Sequence, residues 1–251
     1  MTSSITALMP QTAPTEICAP AADSASVHRF DDAARAAVYR AIAERRDMRH
    51  FTSNSTVDPT VLQRLLEAAH QAPNVGLMQP WRFLRITDAQ LRTELQTLVE
   101  AERQATAAAL DARSAEFLKL KVEGLKECAE VLVVALMDGR ERHIFGRRTL
   151  PEMDLASAAC AIQNMWLAAR AEGLGMGWVS LFDPCAVAKR LAMPEGAKPI
   201  AILCLGPVEQ FYPRPMLEDL KWRAPAPLAD LLFENQWGTA SSSPATQKET
   251  P

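Results

Sequence analysis

The stretch DLASAACAIQNMWLAARAEGLGMGWVSL, residues Asp154 to Leu181, decides the fold class. From Asp154 to Glu172 it is apolar on most sides. Leu155, Ala158, Ala161, Ile162, Met165, Trp166 and Ala169 recur at helical spacing, which predicts a central helix or a subunit contact. Gly173 and Gly175 stop that helix, and Gly177-Trp178-Val179-Ser180-Leu181 reads as a strand. These glycines leave a helix rather than enter one. With no G-x-G-x-x-G and no Walker loop elsewhere, a Rossmann dinucleotide site is disfavoured.

Working outward, helical and strand-like stretches alternate. Asp31 to Arg46 carries Ala34, Val38 and Ile42 at helical spacing, with Asp31 or Asp32 suited to the N-cap. Asp58-Pro59 opens a second helix that Pro73 ends. Phe83 to Ile86 is a short strand, and Thr87-Asp88 starts a third helix running past Glu100. The alanine-rich stretch from Glu102 and the Lys-rich Phe117 to Lys126 have high helical propensity but a thin apolar face, so residues 102–124 suit a lid. Val131 to Met137 and Ile200 to Leu205 read as strands covered on both faces. Asp183-Pro184 opens a short helix. Prolines punctuate the chain from Pro207 to Pro227, ahead of the amphipathic Leu228 to Phe233, so residues 207–238 suit an arm wrapping a neighbour or a dimer partner. The residues thus give one α/β domain of four to five strands over 28–238, between expected mobile tails at 1–27 and 239–251.

Composition narrows the function classes. Of 251 residues, 48% are apolar and 23% charged, which is ordinary globular composition. Lys+Arg 27 against Asp+Glu 30 leaves a net charge of -3, too balanced for a nucleic-acid binder. No apolar run suggests a membrane span, and the first basic residue is Arg29, so no secretory signal is read. Cys18, Cys128, Cys160, Cys185 and Cys204 form no C-x-x-C pair, as expected of small hydrophobes in a reducing cytoplasm. His28, His50, His70 and His143 show no metal spacing, so no metal is expected.

Four motifs remain. Arg45-Arg46-Asp47-Met48-Arg49 sets three guanidinium groups just past a helix end, where they can fork onto a phosphate or merely complement the helix dipole. Ala72 to Trp81 (APNVGLMQPW) mixes turn, apolar and amide residues, suited to a flat aromatic ligand or to a tight connection. In Gly175 to Ser180 glycines allow close backbone approach and Ser180 offers a hydroxyl; a structural serine is the other reading. Leu118 to Gly124 holds Lys119 and Lys121, or is a solvated helix face.

Taken together, Arg45-Arg46-Asp47-x-Arg49, the Gln79-Pro80-Trp81 loop, Gly146-Arg147 with Met153-Asp154-Leu155, Gln163 to Gly173 and Gly177-Trp178-Val179-Ser180 resemble the nitroreductase superfamily. Within it they resemble the flavin-destroying branch, the 5,6-dimethylbenzimidazole synthases, over about residues 30 to 238. The resemblance implies an α+β nitroreductase-like fold, with a central mostly antiparallel sheet flanked by helices. It also implies an intertwined homodimer with sites at the subunit interface. Reduced FMN would be consumed as substrate with O2 as co-substrate. The ring and ribityl C1′ would become 5,6-dimethylbenzimidazole, the lower ligand of cobalamin, with release of erythrose 4-phosphate. A separate flavin reductase would supply FMNH2. Asp47 and Ser180 match the essential aspartate and serine of that branch. FMN contacts fall on Arg45, Arg46, Arg49, Asn74, Gln79, Lys121, Gly177, Trp178, Val179, Ser180 and Arg223. Asn74 stands where the family often has serine. Two other functions compete: an NAD(P)H-dependent nitroreductase that keeps its FMN, and a non-catalytic flavin-binding module.

Overall fold

A computed structural model describes residues 28–239. The expected tails, apart from Thr239, lie outside the described residues. The chain divides into two units between Tyr39 and Arg40. Helix α1 (Asp32–Glu44) straddles that division; Asp31 caps it by accepting from the Ala34 N–H at 2.8 Å, and it buries no side chain.

The second unit is built on one sheet. Strands β1 (Trp81–Arg85), β2 (Glu130–Leu136), β3 (Gly175–Val179) and β4 (Lys198–Gly206) stand in the order β1-β2-β4-β3, every pair antiparallel. Successive side chains of a strand point to opposite faces. In β2, Leu132, Val134 and Leu136 enter one core with α2 (Pro59–His70) and α5 (Met153–Ala171). Val131 and Val133 enter a second core, with Leu95 and Val99 of α3 (Ala89–Ala109) and Val187 of α6 (Pro184–Arg190). Strand β4 divides likewise, Leu203 and Leu205 against Ile202 and Cys204. From Val131 to Leu136 and from Ile200 to Leu205 the central strands are therefore apolar on both faces, as their sequences predict.

Several boundaries differ from the sequence reading. Strand β3 starts at Gly175 and ends at Val179, because Gly175 pairs with Gly206 while the Met176 carbonyl accepts from the Met48 N–H at 3.0 Å. Helix α2 stops at His70, before Pro73, with Gln71 at its C-cap. Helix α3 continues to Ala109, so residues 102–109 of the expected lid are its last turns. Ala107 is buried there against Phe117 and Leu120, and this contact holds the helix on. Only from Leu110 does the chain turn back, through the short α4 (Ser114–Phe117). In the arm, α7 (Met216–Asp219) is a single turn, and the amphipathic Leu228 segment forms one turn of 3-10 helix at Leu228–Asp230. Leu228 and Leu231 face outward from it, 76% and 63% exposed. Among the described residues no helix is long and apolar enough to cross a membrane.

Candidate active site

The arginine motif leaves the end of α1 and runs beside β3, where Asp47 forms a parallel bridge with Met176. Met48 turns into the core, 1% exposed, so its neighbours Asp47 and Arg49 turn the other way. Asp47 Oδ1 accepts from the Trp178 N–H at 3.0 Å, and Oδ2 accepts from Arg49 Nη2 at 2.5 Å. The same Arg49 nitrogen donates to the Trp178 carbonyl at 2.8 Å, which locks the guanidinium across the strand edge. Gly177 makes this closeness possible. A Cβ there would lie 2.2 Å from the Met48 carbonyl oxygen and 3.2 Å from Arg49 Nη1, so only glycine lets the motif lie against β3.

The three arginines divide their work. Arg49 pairs with Asp47 and keeps Nη1 buried with no hydrogen-bond partner. Arg46 donates to the carbonyls of Ala43 and Arg45 at 2.7 and 2.8 Å and to Pro213 at 2.9 Å, so it ties the arm to the motif. Tyr212 adds to that tie: its hydroxyl accepts from the Arg49 N–H at 3.2 Å and lies 2.5 Å from His50 Nδ1. The Arg45 guanidinium has no hydrogen-bond partner among the described residues. It stacks 4.7 Å from the centroid of the Trp166 ring, whose own Nε1–H is fixed on the Arg46 carbonyl.

These groups open on a cavity of about 320 Å³, at the lower end of small-molecule sites. Its lining is polar at Arg45, Arg46, Asp47, Arg49, Lys121 and Ser180. Trp178, Val179, Met216 and Leu217 line it too, beside an apolar wall of Phe117, Leu120, Val122, Leu181 and Trp222, which pack together. Lys121 is held at 2.7 Å by Glu127. Ser180 is exposed, and its hydroxyl makes no hydrogen bond to another described residue. Burial raises the pKa of Asp47 above the ordinary carboxylate value; the Arg49 charge, the Trp178 N–H and Arg45 oppose this without reversing it.

Not every residue expected at the site is brought to it. Asn74 closes its own loop: Oδ1 accepts from the Gln79 N–H at 2.8 Å and Nδ2 donates to the Ala72 carbonyl at 3.2 Å. The loop turns through positive φ at Gly76, Leu77 and Gln79 and delivers the chain to β1. Gln79 reaches His70 instead, 3.5 Å between nitrogens. Strand β1 lies at the sheet edge opposite β3, and Asp47 bridges the free edge of β3, so three strands stand between β1 and Asp47, roughly 19 Å at the usual strand spacing. Arg223 is exposed and outside the wall; its neighbour Trp222 forms the wall. Sequence reading missed Trp222, Phe117 and Tyr212. A tryptophan and a tyrosine within a proline-rich arm were the available signal.

Comparison with known proteins agrees with this architecture. The profile of the Nitroreductase family matches residues 42–207. A 5,6-dimethylbenzimidazole synthase of Rhodospirillum rubrum is 37% identical over 200 residues, covering 79% of this chain and 94% of the relative. One from Rhodobacter capsulatus is 35% identical, covering 79% and 96%. Among solved structures, the NADPH:FMN oxidoreductase of Vibrio harveyi, complexed with NAD+, superposes with a TM-score of 0.60. It is 21% identical and the match covers 82% of this chain and 80% of that one. A cavity built where a glycine lets an Arg-Arg-Asp-x-Arg motif lie on the sheet edge, in a four-stranded antiparallel fold with these relatives, settles the family. The chain belongs to the nitroreductase family.

Proposed function

We propose that this oxidoreductase fragments reduced FMN with O2, yielding 5,6-dimethylbenzimidazole, erythrose 4-phosphate and the remainder of the pyrimidine ring, which in the net balance carries both atoms of O2. The observation that carries the reading is the mixed lining of the cavity. Arg45, whose guanidinium has no hydrogen-bond partner among the described residues, and the ion-paired Arg49 stand beside a carboxylate and share the cavity with an apolar aromatic cluster. A flavin mononucleotide has the matching parts: a phosphate for Arg45 and Lys121, a flat ring for Phe117 and Trp222, and a polar ring edge for Ser180 and the Trp178–Val179 backbone. The buried, unpartnered Arg49 Nη1 is a further donor without an acceptor. Relatives at 35–37% identity that carry the synthase name support the particular chemistry.

Reduced FMN, when bound, supplies the electrons that O2 accepts. The chain's own residues bind, orient and move protons. Asp47, with its pKa raised, is suited to take a proton from a carbon or nitrogen of the ligand and return it. Arg49 fixes the direction of that carboxylate through the 2.5 Å contact. Ser180 offers a hydroxyl free to rotate towards the ligand. The aromatic wall keeps water from the ring.

A second copy of the chain completes the site in this reading. The Asn74–Gln79 loop lies across the sheet from Asp47, while Val38, Tyr39 and Ile42 of α1 are 48%, 66% and 50% exposed. An intertwined homodimer would cover such surfaces and bring the loop of one subunit to the cavity of the other. The test of function has two arms. With reduced FMN in air, 5,6-dimethylbenzimidazole is expected by mass. With NADH and a nitroaromatic acceptor, no sustained turnover is expected. Intact FMN together with rapid NADH oxidation would instead make the protein a nitroreductase that retains its flavin.

A further inference from the structure

Two distant segments meet at the lining of the cavity. One is the turn after α3, the other the arm carrying α7. Their contact is made by Arg113 and Trp222. The Arg113 guanidinium is held flat by Glu116, which accepts from Nε at 2.9 Å and from Nη2 at 3.0 Å. In that plane it lies 3.5 Å from the centroid of the Trp222 ring, and Nη2 also donates to the Trp222 carbonyl at 3.2 Å. Phe117, one residue past Glu116, tilts against the same indole with centroids 6.1 Å apart. The side chains of Arg113 and Glu116 are each 46% exposed, whereas Phe117 and Trp222 line the cavity. The pairing is thus wet outside and apolar inside.

We propose that Trp222, clasped by Arg113, is a specificity-determining residue. It closes the aromatic wall over the ring and so sets the partition between ring fragmentation and simple reoxidation of the flavin. This rests on the reading of the cavity as a flavin site. The competing outcome balances as FMNH2 + O2 → FMN + H2O2, in which two electrons and two protons pass from the flavin to oxygen. Water reaching the ring favours that outcome, because it shortens the life of reactive states that a dry pocket preserves. The clasp suits a door as well as a wall. A solvent-exposed cation–π contact and a single long hydrogen bond from the same guanidinium to a backbone carbonyl are weak enough to open for ligand entry, yet together hold while chemistry proceeds.

The experiment measures 5,6-dimethylbenzimidazole and H2O2 formed per reduced FMN by the parent protein, Trp222→Phe, Trp222→Leu and Arg113→Met. It also measures the rate of FMN release, by recovery of free-flavin fluorescence. Expected are a product-to-peroxide ratio lower by about five- to tenfold and a comparably faster release in Trp222→Leu and Arg113→Met, with most of both restored in Trp222→Phe. A purely structural role would lower the amount of folded protein without moving this ratio. Should Trp222→Leu not fold, Arg113→Met decides, since its side chain lies at the surface. Unchanged ratio and release in Arg113→Met, or equal damage from Phe and Leu at position 222, would overturn the clasp. A parent protein that binds FMN but makes no 5,6-dimethylbenzimidazole overturns the function instead, and the release rates then judge the clasp alone.

Discussion

In the proposed reading Asp47 transfers a proton and Arg45 binds an anion, and two substitutions separate these roles. Burial raises the pKa of Asp47, so folding favours its neutral acid. That contribution to stability is fully present below the unfolded pKa and is lost as pH rises through the higher folded value. Asp47→Asn, neutral throughout, escapes that loss at pH 7, but its single amide oxygen replaces the two that accept from Trp178 and Arg49, so it is expected to melt near the parent's temperature. Product formation should fall by about 10²- to 10⁴-fold, the usual contribution of a proton-transfer group, with reduced FMN still bound. A lower melting temperature together with lost binding would make Asp47 a structural residue. Arg45→Ala should do the reverse, weakening FMN binding by roughly tenfold to a hundredfold, the size of a charge-assisted hydrogen bond of about 1.5–3 kcal/mol. Titration of flavin fluorescence measures both. The sequence showed these two residues because each acts through its own side chain. It could not show that Arg46 is occupied, since its partner, the Pro213 carbonyl, lies 167 positions along the chain.

At the level of elements, the site exists because a motif without regular structure lies against β3, and Gly177 permits it. Gly177→Ala should cost about 1–3 kcal/mol in denaturant unfolding, as overpacking does, and should weaken FMN binding too, because the new Cβ meets the Met48 carbonyl at 2.2 Å. Unchanged stability and affinity would mean that the motif is held elsewhere. Strands β2 and β4 were legible because both their faces are covered, which leaves an unbroken apolar run in the sequence. The capped starts of α2 and α6 were legible because Asp58 and Asp183 act on N–H groups two or three residues away. The end of α3 was not legible. What continues that helix to Ala109 is the packing of Ala107 on Phe117 and Leu120, and an alanine-rich stretch does not announce such a contact. Trp222 was hidden for the same reason, as its partners Arg113 and Phe117 lie more than a hundred residues earlier.

For the whole molecule, one chain gathers the arginines, Asp47, Ser180 and Lys121 but leaves Asn74 and Gln79 across the sheet. The family motif was legible as a string of residues; which of its parts one chain brings together was not, because a string does not carry the order of the strands. Light scattering during gel filtration is expected to give twice the mass of one chain, and a monomer that still forms product would contradict the shared site. The fate of the flavin carbon remains the most direct test of function. Reduced FMN labelled with ¹³C at the ribityl C1′ should, in air and with stoichiometric protein, give 5,6-dimethylbenzimidazole heavier by that label. Recovery of the label wholly in intact FMN would contradict the account.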